Sequence, residues 1–122
     1  MRTIMLAAVL AAAPVSAQTD DRRCETADRS KATEVVQPML DRGMVSVDID
    51  GVNVSPLIWE ALPTVETKRT FLVFAGVYRA CIWWAENSRD RRMLATTSVD
   101  VFSKVTGRKL ASFDVTRGFT FY

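Results

Sequence analysis

Histidine is absent from this 122-residue sequence. That absence removes the commonest general base, the triads built on it and most zinc sites. Only two cysteines are present, Cys24 and Cys81, which rules out a cysteine-rich metal cluster. The five glycines are scattered and form no phosphate-cradling loop. Neither sign of charge dominates: 16 basic and 14 acidic side chains give a formal net charge of +2. Such a balance offers no global field for nucleic acid or anionic lipid, so neither is expected as a partner.

One long apolar run is present, at residues 4–13, preceded by Arg2 and followed by Pro14. It is about half of the roughly 20 residues a membrane-spanning helix requires. Val15, Ser16 and Ala17 then supply small residues before Gln18. Charge, apolar core and small-residue cleavage site in that order predict a secretory signal peptide at residues 1–17. The mature chain, residues 18–122, is then a single domain that is periplasmic or secreted, with no stable membrane anchor after cleavage. Amino-terminal sequencing of the exported protein is expected to read from Gln18 onward; a mature product that keeps residues 1–17 would remove the argument for export.

Export changes the reading of the cysteines. An even count in an oxidising compartment points to a Cys24–Cys81 disulfide rather than to a nucleophile or a metal site. Lipid attachment at Cys24 is disfavoured by Arg22 and Arg23, where small apolar residues are needed. A buried free thiol at Cys81, beside Ala80 and Ile82, is the remaining alternative.

After a polar leader at 18–23, Ala32, Val35, Val36, Met39 and Leu40 recur at spacings of three and four and predict a helix. Thr26 or Asp28 is placed to cap it, Gly43 to end it, and Pro38 to kink or break it. Val45, Val47 and Ile49 alternate with polar residues, and Asp50-Gly51 suits a two-residue hairpin turn into Val52 and Val54. Thr64, with Thr67 three residues on, is an imperfect capping box that opens a long helix. Phe71, Phe74, Tyr78, Cys81 and Ala85 line one of its faces, and Val73, Val77, Ala80 and Trp84 an adjacent one. So wide an apolar surface predicts a core helix. Arg89, Arg91 and Arg92 read as a solvated connection. Strands around Val99–Val101 and residues 110–115 flank Thr106-Gly107, and the alternation from Phe119 to Tyr122 suits a short final strand.

These elements predict an α+β domain of order α-β-β-α-β-β. An antiparallel sheet from two hairpins, at about 44–54 and 97–116, packs on a central helix at about 64–86.

Candidate chemistry is sparse. Asp48-Ile49-Asp50-Gly51 resembles the start of a calcium loop when Ser46 takes position one, but position twelve is then Leu57 instead of a carboxylate. Asp48, Asp50 and Glu60 are conceivable hydrolytic carboxylates, yet two acids before a turn are ordinary turn formers. Asn53-Val54-Ser55 matches the glycosylation sequon. No catalytic residue, metal or cofactor is assigned.

Trp59, Trp83 and Trp84 are a high tryptophan content for a chain of this size. Helical spacing puts Trp84 with Val77 and Ala80 in the core, and Trp83 nearer Arg79 and Glu86. Trp59, Arg79 and Trp83 are therefore the candidate binding residues, since tryptophan and arginine anchor many interfaces. The alternative for Trp83 is packing beneath the Phe119–Phe121 tail. The expectation is a small envelope protein that binds another protein, as an inhibitor, immunity factor or accessory subunit. A small carboxylate-based hydrolase or ligand-binding domain is the competing reading. A cleft holding Trp59 or Trp83 with converging acids would favour the latter.

Overall fold

The structure, a computed structural model, describes residues 24–87 and 96–122. The expected signal peptide, the 18–23 leader and the Arg89, Arg91 and Arg92 cluster lie outside the described residues. Helix α1 (Thr26–Asp41) leads into strands β1 (Val45–Val47) and β2 (Val52–Val54). A helical crossover follows: α2 (Pro56–Ala61), α3 (Val65–Val77), a π-helical segment (Tyr78–Trp83) and α4 (Trp84–Asn87). Strands β3 (Val99–Ser103), β4 (Lys109–Asp114) and β5 (Gly118–Phe121) complete the domain.

The α+β class holds, but two separate antiparallel hairpins and the order α-β-β-α-β-β do not. One five-stranded sheet runs β1-β2-β3-β4-β5, and β2 pairs with β3 in parallel. The physical reason is the length of the crossover. A parallel connection needs a dozen or more residues, and the helices between β2 and β3 supply them. Each hairpin is antiparallel within itself, and β5 extends the second into a three-stranded meander.

Local signals account for most helix boundaries. The Thr64 hydroxyl accepts from the Thr67 amide at 3.1 Å, and the Thr67 hydroxyl accepts from the Thr64 amide at 3.1 Å, so the capping box is complete. Gly43, at φ 72°, ends α1. Its amide reaches the Leu40 carbonyl while that of Met44 reaches Met39, the paired bonds of a Schellman ending. Ser55 caps α2 by accepting from the Leu57 amide, with Pro56 at the first turn, where its missing N–H costs nothing.

Three local expectations are corrected. Helix α1 is not broken at Pro38, which forfeits only the bond its missing N–H would make to the Glu34 carbonyl. Its N-cap is Glu25, not Thr26 or Asp28, and no side chain caps it. The β1–β2 hairpin pairs Val47 with Val52 and closes with the Asp48 amide on the Gly51 carbonyl, so Ile49 and Asp50 form the loop. That register lies two residues from the expected one, a shift that keeps every valine on its face and releases only Ile49, now exposed.

Helices α1 and α3 pack together on one sheet face. Between them and the sheet lie Ala32, Val36, Leu72, Ala75, Val52, Val54, Val101 and Ala111, all buried. The opposite face carries Ser46, Asn53, Asp100, Phe102, Ser112 and Thr120. The Cys24–Cys81 disulfide is present, with Cα atoms 5.4 Å apart, and ties the start of α1 to the π segment.

Tyr78, buried in that segment, donates to Gln37 Oε1 at 2.6 Å, and Gln37 donates to Asp41 at 2.9 Å. Burial, with Glu86 and Asp41 adding to it, raises the Tyr78 phenol above its ordinary value of 10.0. A folded-state pKa above the unfolded one stabilises fully below the unfolded value, and that contribution is lost as pH rises through the folded value. Unfolding midpoints measured above pH 10 are expected to fall in the wild type. In Tyr78→Phe this component is expected to be missing, at the expense of about 1 kcal/mol at neutral pH from the lost hydrogen bond.

Candidate functional site

Helix α2 projects Trp59 towards the end of the chain. Its ring lies 6.5 Å from Phe71, edge-on, and 6.4 Å from Phe121 of β5. The Lys68 ammonium sits 5.2 Å over the same ring and donates to the Leu62 carbonyl, which pins it there. Beside Trp59 opens a cleft of about 350 Å³, walled by Glu60, Arg108, Lys109, Leu110 and Tyr122. Lys109 stands 5.7 Å over the Tyr122 ring and 3.7 Å from Asp100. Tyr122 is 70% exposed, and Leu57 of α2 is 73% exposed.

The cleft arises where the β3–β4 pairing is irregular. Register shifts between Val101 and Phe102, so Lys109 pairs with Phe102 while Ala111 pairs with Val101. The extra residue turns the start of β4 outward, as bulges do beside binding sites. The strand end thus presents Lys109 and Leu110 to the same opening as Trp59.

The aromatic row continues along β5. Phe119 stacks on Phe113 at 4.8 Å, and the Arg69 guanidinium lies 5.5 Å over Phe119. Exposed Arg117 precedes β5. The acids nearby are Asp50, Glu60, Asp100 and Asp114. One Asp114 oxygen accepts from the Thr116 amide, the Thr116 hydroxyl and the Arg117 amide, which draws that carboxyl below its ordinary value.

Trp59 is thus the one candidate binding residue in this cleft. Arg79 lines a neighbouring depression of about 420 Å³ that shares Lys109 and Tyr122 with it. Its guanidinium is committed: Nε donates to the Asp48 carbonyl at 3.1 Å, Nη2 donates to the Ile49 carbonyl, and the group lies 5.5 Å from the Trp84 ring. It braces the β1–β2 loop, and burial lowers its pKa from the ordinary value. Trp83 is half-buried, 5.9 Å from Trp84, and lines neither opening. It is Trp59, not Trp83, that meets Phe121. Trp84 is buried in the core as expected.

The expected carboxylates do not converge on Trp59. Asp48 Oδ1 accepts from the amides of Asp50 and Gly51, and Oδ2 accepts from Asn53 Nδ2, so both oxygens organise the turn. Glu60 alone of the three enters the Trp59 cleft, facing Arg108 and Lys109. Among the described residues no group of three or more acids, cysteines or histidines could hold a metal ion. A larger groove of about 600 Å³ runs between α1 and the π segment beside the disulfide, but it is open and carries no aromatic ring.

Tyr122, Phe121, Arg108 and Lys109 were not singled out by sequence reasoning as site residues. The available signal was the alternation of Phe119 and Phe121 with Thr120 and Tyr122, which marks a strand but not its neighbours. Comparison with family models, curated proteins and solved structures finds no match to this chain.

Proposed function

We propose that this protein acts by binding another protein in the cell envelope, as an inhibitor, immunity factor or accessory subunit, rather than by catalysis. The observation that carries this reading is the cluster of Trp59, Phe121 and Tyr122 ringed by Lys68, Arg108 and Lys109. Aromatic anchors beside arginine or lysine are the composition of energetic centres in interfaces. A partner covering this region at ordinary interface size would take roughly 800 Å² from each side. Support for the envelope as the compartment comes from the signal-peptide pattern and the disulfide. Among the described residues no helix is long and apolar enough to cross a membrane.

The hydrolase reading is the weaker one, because Asp48 is spent on its turn and Glu60 faces cations. Pull-down from envelope extract is expected to recover a stoichiometric partner. Tyr122→Ala combined with Arg108→Glu should lose that partner with an unchanged melting temperature, whereas Lys31→Ala on exposed α1 should keep it. Recovery of no partner, together with turnover of a cell-wall or peptide substrate that Glu60→Gln abolishes, would overturn the reading.

A further inference from the structure

Strand β5 has one neighbour, β4, and its other edge meets no described strand. The Tyr122 amide donates to the Leu110 carbonyl at 3.0 Å, and Thr120 lies opposite Ser112. In an antiparallel ladder this phase turns the N–H and C=O of Thr120 and Tyr122 towards β4 and those of Phe119 and Phe121 outward. An unpaired row of this kind is a template for another strand.

Natural edges are blunted by lysine, proline or burial. Here the cations are placed differently: Arg69 covers Phe119 on the core side, Lys109 covers Tyr122 on the open side, and Arg117 stands at the strand's start. Lys68 and Arg108 bring these cations to five, against four acids, Asp50, Glu60, Asp100 and Asp114. A second copy pairing β5 with β5 would bring Arg69, Lys109 and Arg117 against their own kind. An acidic strand would meet complementary charge from Arg117 at one end and Lys109 at the other.

We propose that β5 accepts an acidic, extended segment of the partner as a sixth strand. Its apolar side chains continue the row of Phe119 and Phe121 towards Trp59, and its acidic side chains continue the row of Thr120 and Tyr122 beside Lys109. Backbone bonds supply affinity and the two rows supply specificity, the logic of strand addition. This inference rests on the protein-binding reading above and specifies its mode.

The test uses the full mature chain and a fluorescein-tagged heptapeptide of glutamates alternating with valine around a central leucine. Binding is expected to be at least tenfold tighter than for the lysine-for-glutamate peptide and to weaken with salt. Amide exchange should slow at least tenfold at Phe119 and Phe121 and not at Thr120. Methylating the peptide nitrogens that face β5 should abolish binding. Lys109→Gln with Arg117→Gln should weaken it at least tenfold without lowering the melting temperature.

Equal binding of the methylated or the lysine peptide, or protection elsewhere, overturns the inference. So does a concentration-dependent dimer that protects the same two amides, since the occupant is then a second copy. No binding of the acidic peptide, while Tyr122-dependent capture of an envelope protein persists, overturns strand addition and leaves protein binding standing. Loss of that capture as well removes both.

Discussion

Gly76→Ala is expected to destabilise the domain by about 2 to 3 kcal/mol, the upper part of the range for overpacking a filled site. Helix propensity taken alone gives the opposite sign, a gain of about 1 kcal/mol for alanine over glycine in a helix interior. The contact decides which effect wins. A Cβ at Gly76 would stand 2.2 Å from the Thr97 carbonyl oxygen and 3.4 Å from a Val99 methyl. The oxygen belongs to the backbone leading into β3, so relief requires α3 or that strand to move. Moving it disturbs the parallel β2–β3 pairing and, through β4, the strand that carries Tyr122's neighbours. Thermal unfolding should show a melting temperature lower by roughly 10 °C or more for a domain of this size. Gly43→Ala separates the causes: its φ is 72° but no described residue lies within 4 Å, so backbone strain acts there alone. It should cost about 1 kcal/mol. A stabilised Gly76→Ala would show that α3 does not approach Thr97 as described.

Removing the disulfide is expected to have the largest effect. Cys24 and Cys81 are 57 residues apart in sequence, and closing a loop of that length restricts the unfolded chain by about 4 kcal/mol in the loop-entropy description. That is a large share of the stability of any domain this small. The native side adds to it. Helix α1 begins without a side-chain cap, so the bond at Cys24 holds an end that would otherwise fray. Cys81 is buried on the π segment between Tyr78 and Trp84, both core residues. Cys24→Ser with Cys81→Ala is therefore expected to lower the melting temperature by 15 °C or more. In the native protein neither sulfur should alkylate until a reductant is added. Free alkylation, or a loss below about 1 kcal/mol, would show that the bond does not form or does not hold α1.

Features written in short stretches of chain were legible. The Thr64–Thr67 box, the Gly43 ending and the valine alternation of the first hairpin each depend on residues within a few positions of one another. Their physics is local, so local sequence suffices. The disulfide was legible for another reason, because two cysteines allow one intramolecular pairing. The π segment had no such signal. It wraps its turns more loosely than an α-helix, so directions reckoned at 100° per residue drift beyond Tyr78, and Trp83 settles half-buried beside Trp84.

The sequence by itself determined the places of the first and central helices and of the valine-rich strands, and the bond between Cys24 and Cys81. Periodicity, caps and turns are set by side chains already adjacent along the chain. Only the tertiary structure decided that the two hairpins join through a parallel β2–β3 pair, and therefore that β5 lies at an edge. It likewise decided that Trp59 meets Phe121 and Tyr122, more than sixty residues away in the chain. Strand order depends on where a long crossover lands, and a cleft depends on which ends of the fold that landing brings together. Both are set by the burial of the whole apolar surface at once, a quantity no short window of sequence contains.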